Sequence, residues 1–257
     1  KPMAQQESTA GSMSFKFLVV LFTRVPFANA LTLLMLLSER AKRESEPPLA
    51  PRLIYVLVFG CVALGFAVSL NIRRRQALLI YCGLLMYMAY LTVTAPALRY
   101  KSWVRARLAL PSLGCCAVFL YFAAICDTLA STSGQLRQAG RSLLGVFAIG
   151  SAYAFATVPE EAEALRRNIG DFVPQAHWVV AILYCMAGLA LLSNVSFYGA
   201  LKLLACTMLC LTLANDMRPN YWLYRVGMDF WCHARLLVDN LTVLLGIGIV
   251  LQRKRLG

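Results

Sequence analysis

Eight apolar runs alternate with short polar stretches along the chain, at roughly 15–37, 53–71, 76–95, 105–126, 140–157, 177–193, 198–215 and 235–251. "FKFLVVLFTRVPFANALTLLMLL" and "LLVDNLTVLLGIGIVLQ" are representative. A helix crosses a bilayer with about 20 residues. Backbone groups in lipid must bond within their own segment, and the runs lack the alternation, roughly 10 residues long, of a transmembrane barrel strand. The pattern predicts an all-α integral membrane protein with about eight transmembrane helices. Several runs are short for a full crossing, so they are expected to tilt little and to use flanking Arg, Lys, Trp and Tyr as anchors.

The polar stretches divide the chain. Residues 1–14 form a polar N-terminal segment, and "SERAKRESEPPLAP" (38–51) reads as a charged, Pro-rich loop. "STSGQLRQAGR" (131–141) has linker composition at mid-chain, and 253–257 is a basic tail. The segments on either side of the linker repeat. Gly65, Ala67, Asn71, Ala77 and Leu78 recur as Gly188, Ala190, Asn194, Ala200 and Leu201, each 123 residues on. "WVRARL" at Trp103–Leu108 recurs as "WCHARL" at Trp231–Leu236, 128 residues on. The expected organisation is two parallel four-helix repeats, 15–130 and 140–252, joined by a linker at 131–139.

Composition agrees with a membrane chain. Of 257 residues 60% are hydrophobic, 14% are charged and the mean hydropathy is +0.64, against roughly 25% charged in a soluble domain. The net charge of +13 would suggest nucleic acid in a soluble protein. Here the basic residues (Arg73-Arg74-Arg75, Arg166-Arg167, Arg253-Lys254-Arg255) flank apolar runs, as topology signals and contacts to anionic lipid headgroups do. Membrane lipids are therefore the expected partners, and nucleic acid is not. Both termini are expected on the cytosolic or matrix side. The nine cysteines show no C-x-x-C spacing and read as small packing residues. The chain starts at Lys1, as expected of one that has lost a presequence or been trimmed, and 1–16 holds no intact signal peptide.

Local features refine the picture. "LFTRVPF" (21–27), "SERAK" (38–42), the Arg run after the second helix and "FW" (230–231) before the last apolar run stand in an order and spacing that resemble the transmembrane protein 101 family over nearly the whole chain. The resemblance brings no biochemical activity with it. Each half also resembles the DoxX-type four-helix unit: Asn240-Leu241 and Gly246 match its "N-L…G" last helix, and Ser112-Leu113 and Gly114 match it less well. The doubled arrangement looks like the surfeit locus protein 4 cargo receptors. These likenesses imply cargo export, receptor assembly or membrane subunits of redox systems, and fold alone does not choose among them.

Candidate contact residues come from charges and aromatics near helix ends. Arg24 lies inside the first run and must face protein, water or headgroups. It reads as a snorkelling side chain paired with Asp127 or Asp239, or as a headgroup contact. Arg235 and Asp239 are four apart on one helix face, followed by Asn240, and read as an intrahelical pair. Arg107 is the repeat mate of Arg235, but Pro111 stands where Asp239 would recur, which argues against two symmetric sites. Trp103 and Trp231 are expected as interfacial anchors, and a quinone or sterol shelf is the other reading. His177 and His233, the only histidines, are expected as ordinary interfacial residues rather than ligands of a metal or haem.

No catalytic motif is legible: there is no G-x-S-x-G, H-E-x-x-H, Walker loop or G-x-G-x-x-G. The acids look few and mostly loop-borne. No catalytic, cofactor-binding or metal site is therefore expected, and no cofactor. The leading expectation is a non-catalytic accessory or scaffold subunit of a larger membrane complex, with other subunits as partners, in the mitochondrial inner membrane ahead of the endoplasmic reticulum or Golgi. A cargo or assembly receptor of the secretory pathway is the second reading. A quinone- or lipid-binding membrane protein of a redox system is the third.

Overall fold

The computed structural model describes residues 15–42, 50–94, 100–126, 132–169, 175–193 and 195–256, and they are helical nearly throughout. Eight helices are long and apolar enough to cross a membrane. In chain order α1 is Phe15–Lys42, α2 Pro51–Ser69, α3 Arg74–Thr94 and α4 Ser102–Cys126. Then follow α5 Ser133–Thr157, the short α6 Pro159–Ile169, α7 Ala176–Ser193, α8 Phe197–Asp216 and α9 Phe230–Leu256. At about 1.5 Å per residue, even α7, with 18 residues, nearly matches a hydrocarbon core of about 30 Å. Large side chains such as Phe59 (75% exposed), Val56 and Ile182 face outward, which suits lipid and would be penalised in water.

The helices pack as a ring in chain order. α1 lies on α2, α2 on α3, α3 on α4, α4 on α5, α5 on α7, α7 on α8, α8 on α9, and α9 closes onto α1. A diagonal contact joins α4 to α9. Exchanging α1–α4 with α5, α7, α8 and α9 leaves this neighbour order unchanged. Local geometry follows the same offset: Arg73 and Ser196, 123 residues apart, both take left-handed backbone, with φ of 42° and 47°. Where α4 crosses α9, small residues admit the partner. A Cβ on Gly246 would lie 2.3 Å from the Cβ of Val118, and one on Gly114 would lie 2.8 Å from Val243.

Several expectations are revised. The linker at 131–139 is largely helix, since α5 starts at Ser133. Weak propensity is overridden there by packing: α5 crosses α4 so closely that a Cβ on Gly140 would lie 2.8 Å from the Ala117 carbonyl oxygen. The last helix runs on to Leu256, so most of the basic tail continues α9. α1 is interrupted at Arg24, two residues before Pro26, because proline removes an N–H and crowds the preceding turn. The polar segment 1–14 and residues 43–49 lie outside the described residues, and 38–42 of the expected loop instead continue α1 as helix.

The first half is filled at its centre. Phe22 packs on Phe119 (centroids 4.4 Å apart) and edge-on to Phe122, and Tyr81 meets Phe119 at 5.0 Å. The Tyr81 hydroxyl accepts from Asn29 Nδ2 at 2.8 Å. Five of the nine cysteines are buried packing residues, while Cys126, Cys206 and Cys210 are exposed; the thiols of Cys82 and Cys116 point at each other's backbone carbonyls, 3.7 and 3.4 Å away.

Candidate functional site

The second half is not filled. A cavity of about 350 Å³ lies among α4, α5, α6, α7, α8 and α9, at the small end of ligand pockets. Its long walls are apolar, with Leu110 and Pro111 from α4, Phe147 and Phe155 from α5, and Met208 and Leu211 from α8. Its far end holds charge: Arg107, Glu161, Asp216 and Asn240.

Each polar residue is set by its element. Arg107 lies in the second turn of α4, one turn beyond Trp103, so both line the cavity. α6 begins with Pro159 and carries Glu160 and Glu161 in its first turn, with Arg166 and Arg167 in its last, which complements its dipole at both ends. This presents Glu161 to Arg107. α8 ends in a π-turn, Thr212–Asp216, whose wider turn resets the helix register and carries Asp216 into the interior. A second π-turn, Tyr221–Arg225, supplies Trp222.

These groups form one network. Arg107 Nη1 donates to Glu161 Oε1, and Arg107 Nη2 donates to Asp216 Oδ1 at 2.6 Å. The guanidinium carbon stands 3.8 Å from the Trp222 ring centroid. Asn240 Nδ2 donates to Asp216 Oδ2 at 2.9 Å. His233 Nε2 lies 2.7 Å from the Asp216 carbonyl oxygen; a carbonyl only accepts, so Nε2 carries the proton. Glu161 is 2% exposed. Burial raises its pKa above the usual carboxylate value, and the Arg107 charge opposes that rise. Its Oε2 is buried and has no hydrogen-bond partner among the described residues.

The cavity has an outlet. Of its lining residues only Ala106 on α4 and Tyr153 on α5 are exposed, Tyr153 at 70%. The two helices meet tightly at Ala117 and Gly140 but only through the Leu110 side chain at Gly150. Toward the charged end the contact is thus made by side chains rather than by closely apposed backbones.

A second polar cluster closes the same membrane face between α1 and α9. Asp229 accepts from Arg40 (2.7 and 3.0 Å) and from the Tyr100 hydroxyl. Glu39 accepts from the backbone N–H groups of Phe230 and Trp231, both at 3.2 Å, and so caps α9 with negative charge at its N-terminus.

The residues singled out from sequence fare unevenly. Arg107, Trp103 and Asn240 meet at the cavity. Arg107 is not free for a lipid headgroup, because two carboxylates occupy it. Trp231 lies at the start of α9, under Glu39. Arg235 and Asp239 form no ion pair among the described residues. Asp239 is fully buried and accepts from Ser112 Oγ at 3.2 Å, because α9 turns that face into the first half of the bundle. Arg24 is exposed, over the Phe27 ring at 5.9 Å, and does not pair with the buried Asp239; Asp127 lies outside the described residues. Arg74 sits 5.0 Å from the Phe122 ring, and Arg75 donates to Thr132 Oγ1. His233 is buried rather than interfacial.

The acids were misjudged: Glu161, Asp216, Asp229 and Asp239 are all buried. Pro159-Glu160-Glu161 as a helix start, and a lone Asp closing the seventh apolar run, were the available signals. The model of the TMEM101 protein family matches residues 9–254. No solved structure matches the chain.

Proposed function

The chain belongs to the TMEM101 protein family, and we propose that this integral membrane protein is a non-catalytic binder of a membrane amphiphile. One observation carries the reading: a cavity with apolar walls and a charged end has two exposed lining residues, Ala106 on α4 and Tyr153 on α5, side by side at the bundle surface. A ligand already in the bilayer could enter there without leaving lipid, its polar head at the network and its apolar body along the α4 and α8 walls.

This favours the third sequence expectation over the other two. A scaffold subunit or a cargo receptor needs a docking surface for another protein, whereas the cavity is walled by the chain's own helices. The asymmetry of the halves fits the same view. We infer a duplicated four-helix unit in which one copy became a packed structural half. There Tyr81 occupies the place held by Leu204, 123 residues on, and Phe119 that held by Ile247, 128 residues on. The other copy kept the open space.

The test is labelling in membranes. A photoreactive fatty-acyl lipid should mark α4 and α5 peptides facing the cavity. Ala106→Trp, at the mouth, should reduce that labelling several-fold without lowering thermal stability. Labelling spread evenly over the lipid-facing surface, and indifferent to Ala106→Trp, would refute the proposal.

A further inference from the structure

Resting on the amphiphile-binding reading, the geometry points to a neutral lipid bearing a free hydroxyl, such as a diacylglycerol or a sterol, whose hydroxyl donates to Glu161 Oε2. The argument is an inventory of the donors and acceptors at the cavity's charged end. Arg107 would be the natural anchor for a phosphate or carboxylate head. Both of its Nη atoms are engaged by carboxylates and Trp222 covers the plane, so only Nε, a single buried N–H that cannot hold an anionic head bidentately and that a hydroxyl oxygen can meet, lacks a partner among the described residues. With one guanidinium against two carboxylates, the end of the cavity carries no surplus positive charge, and an anionic head would add a buried charge of the wrong sign.

Asp216 is also engaged at every oxygen. Oδ1 accepts from Arg107, Oδ2 from Asn240 and the backbone oxygen from His233. One carboxylate oxygen remains. Glu161 Oε2 is buried, lines the cavity through its residue and lacks a hydrogen-bond partner among the described residues. A buried acceptor left unmade is unfavourable by about 1–3 kcal/mol, more when it is charged.

The number of free acceptors selects the head. A hydroxyl has one proton to donate and needs one acceptor. An ammonium has three donors to place and would leave two unmet. The size of the site agrees. A cavity of about 350 Å³ takes a small head and the first part of an apolar body, and the rest passes between Ala106 and Tyr153 into the bilayer.

The experiment uses the full chain in lipid nanodiscs, with dioleoylglycerol carrying a diazirine in one acyl chain as the probe. Four competitors are compared: unlabelled dioleoylglycerol, its 3-O-acetyl derivative, dioleoyl phosphatidic acid and oleylamine. Protection of α4 and α5 peptides is read by mass spectrometry. A hydrogen bond to a charged group is worth about 1.5–3 kcal/mol, so the free alcohol should compete at least about tenfold better than the acetylated lipid. Glu161→Gln should shrink that ratio toward one while acyl labelling persists. Glu161→Ala, combined with Arg107→Met and Asp216→Asn so that no bare buried charge remains, gives a second route to the same readout.

Equal competition by alcohol and acetate would overturn the hydroxyl inference while leaving the cavity reading intact. Stronger competition by phosphatidic acid or oleylamine would do the same. Failure of every lipid to protect the cavity peptides would instead remove the underlying reading.

Discussion

Replacing Arg107 with Gln tests the network most directly. The side chain is only 11% exposed, and its carboxylate partners Glu161 and Asp216 are 3% and 8% exposed. Removing the cation strands two acids away from water. Breaking a buried pair by deleting one partner costs about 3–5 kcal/mol. For a chain of this length that corresponds to a fall of roughly 6–20 °C in Tm, at about 2–4 °C per kcal/mol.

The loss should depend on pH, and the sign follows from Glu161. Burial already raises its pKa, and Arg107 is the main force holding it down. Without Arg107 the folded-state pKa rises further above the unfolded value. A carboxyl with a raised folded pKa binds more protons when folded, so its contribution is fully present below the unfolded pKa and lost as pH rises through the folded pKa. The variant should therefore be much less stable than the parent at pH 8 and recover part of the difference near pH 5. Each unit of further shift is worth about 1.4 kcal/mol.

Thermal unfolding in a mild detergent at several pH values measures this. The triple change Arg107→Gln, Glu161→Gln, Asp216→Asn should recover most of the loss, because no unpaired charge remains. An Arg107→Gln protein with unchanged Tm, or with a loss independent of pH and not relieved by the triple change, would show that the network is not a buried ion cluster.

Other consequences can be checked in the same assay. Arg235→Gln should lower Tm less than Arg107→Gln, although the two hexapeptides match, because Arg235 acts on one buried acid, Asp239, from beyond ion-pair distance, whereas Arg107 directly pairs two. Gly246→Ala should destabilise by about 1–3 kcal/mol through overpacking, since its new Cβ would stand 2.3 Å from that of Val118; Gly248→Ala, whose nearest contact would be 3.6 Å away, should be close to neutral, and equal effects would contradict the α4–α9 crossing. Asp229→Asn should weaken the Arg40 contact and lower Tm by several degrees, with Tyr100→Phe milder because it leaves the Arg40–Asp229 pair in place and removes one bond to the carboxylate, worth about 1.5–3 kcal/mol.

Much of the architecture was legible in the pattern of residues. Apolar runs near bilayer length must be helices in lipid, since no other backbone arrangement here satisfies its own hydrogen bonds. The proposed repeat rests in part on residues that geometry constrains, among them Gly65 and Gly188, each facing a close neighbour. Part of the site was legible as well, because the repeated hexapeptide led to Trp103 and Arg107. The segment at 133–140 was not, because Gly134 and Gly140 look like linker until α4 is brought against Gly140.

The partners of Arg107 depended on tertiary structure. Sequence spacing reports neighbours within one helix, which made Asp239 the natural mate of Arg235. Glu161 is 54 residues from Arg107 and Asp216 is 109 away; only the fold brings them together. Charge in the sequence likewise marked Arg107 as a residue for lipid headgroups, because a sequence records the sign of a group and not whether it is already neutralised. The cavity itself belongs wholly to the tertiary level. It is the space left among six helices where Leu204 and Ile247 stand at the offsets of Tyr81 and Phe119. Apolar composition cannot distinguish a helix that packs from one that leaves room, since both are written in the same residues.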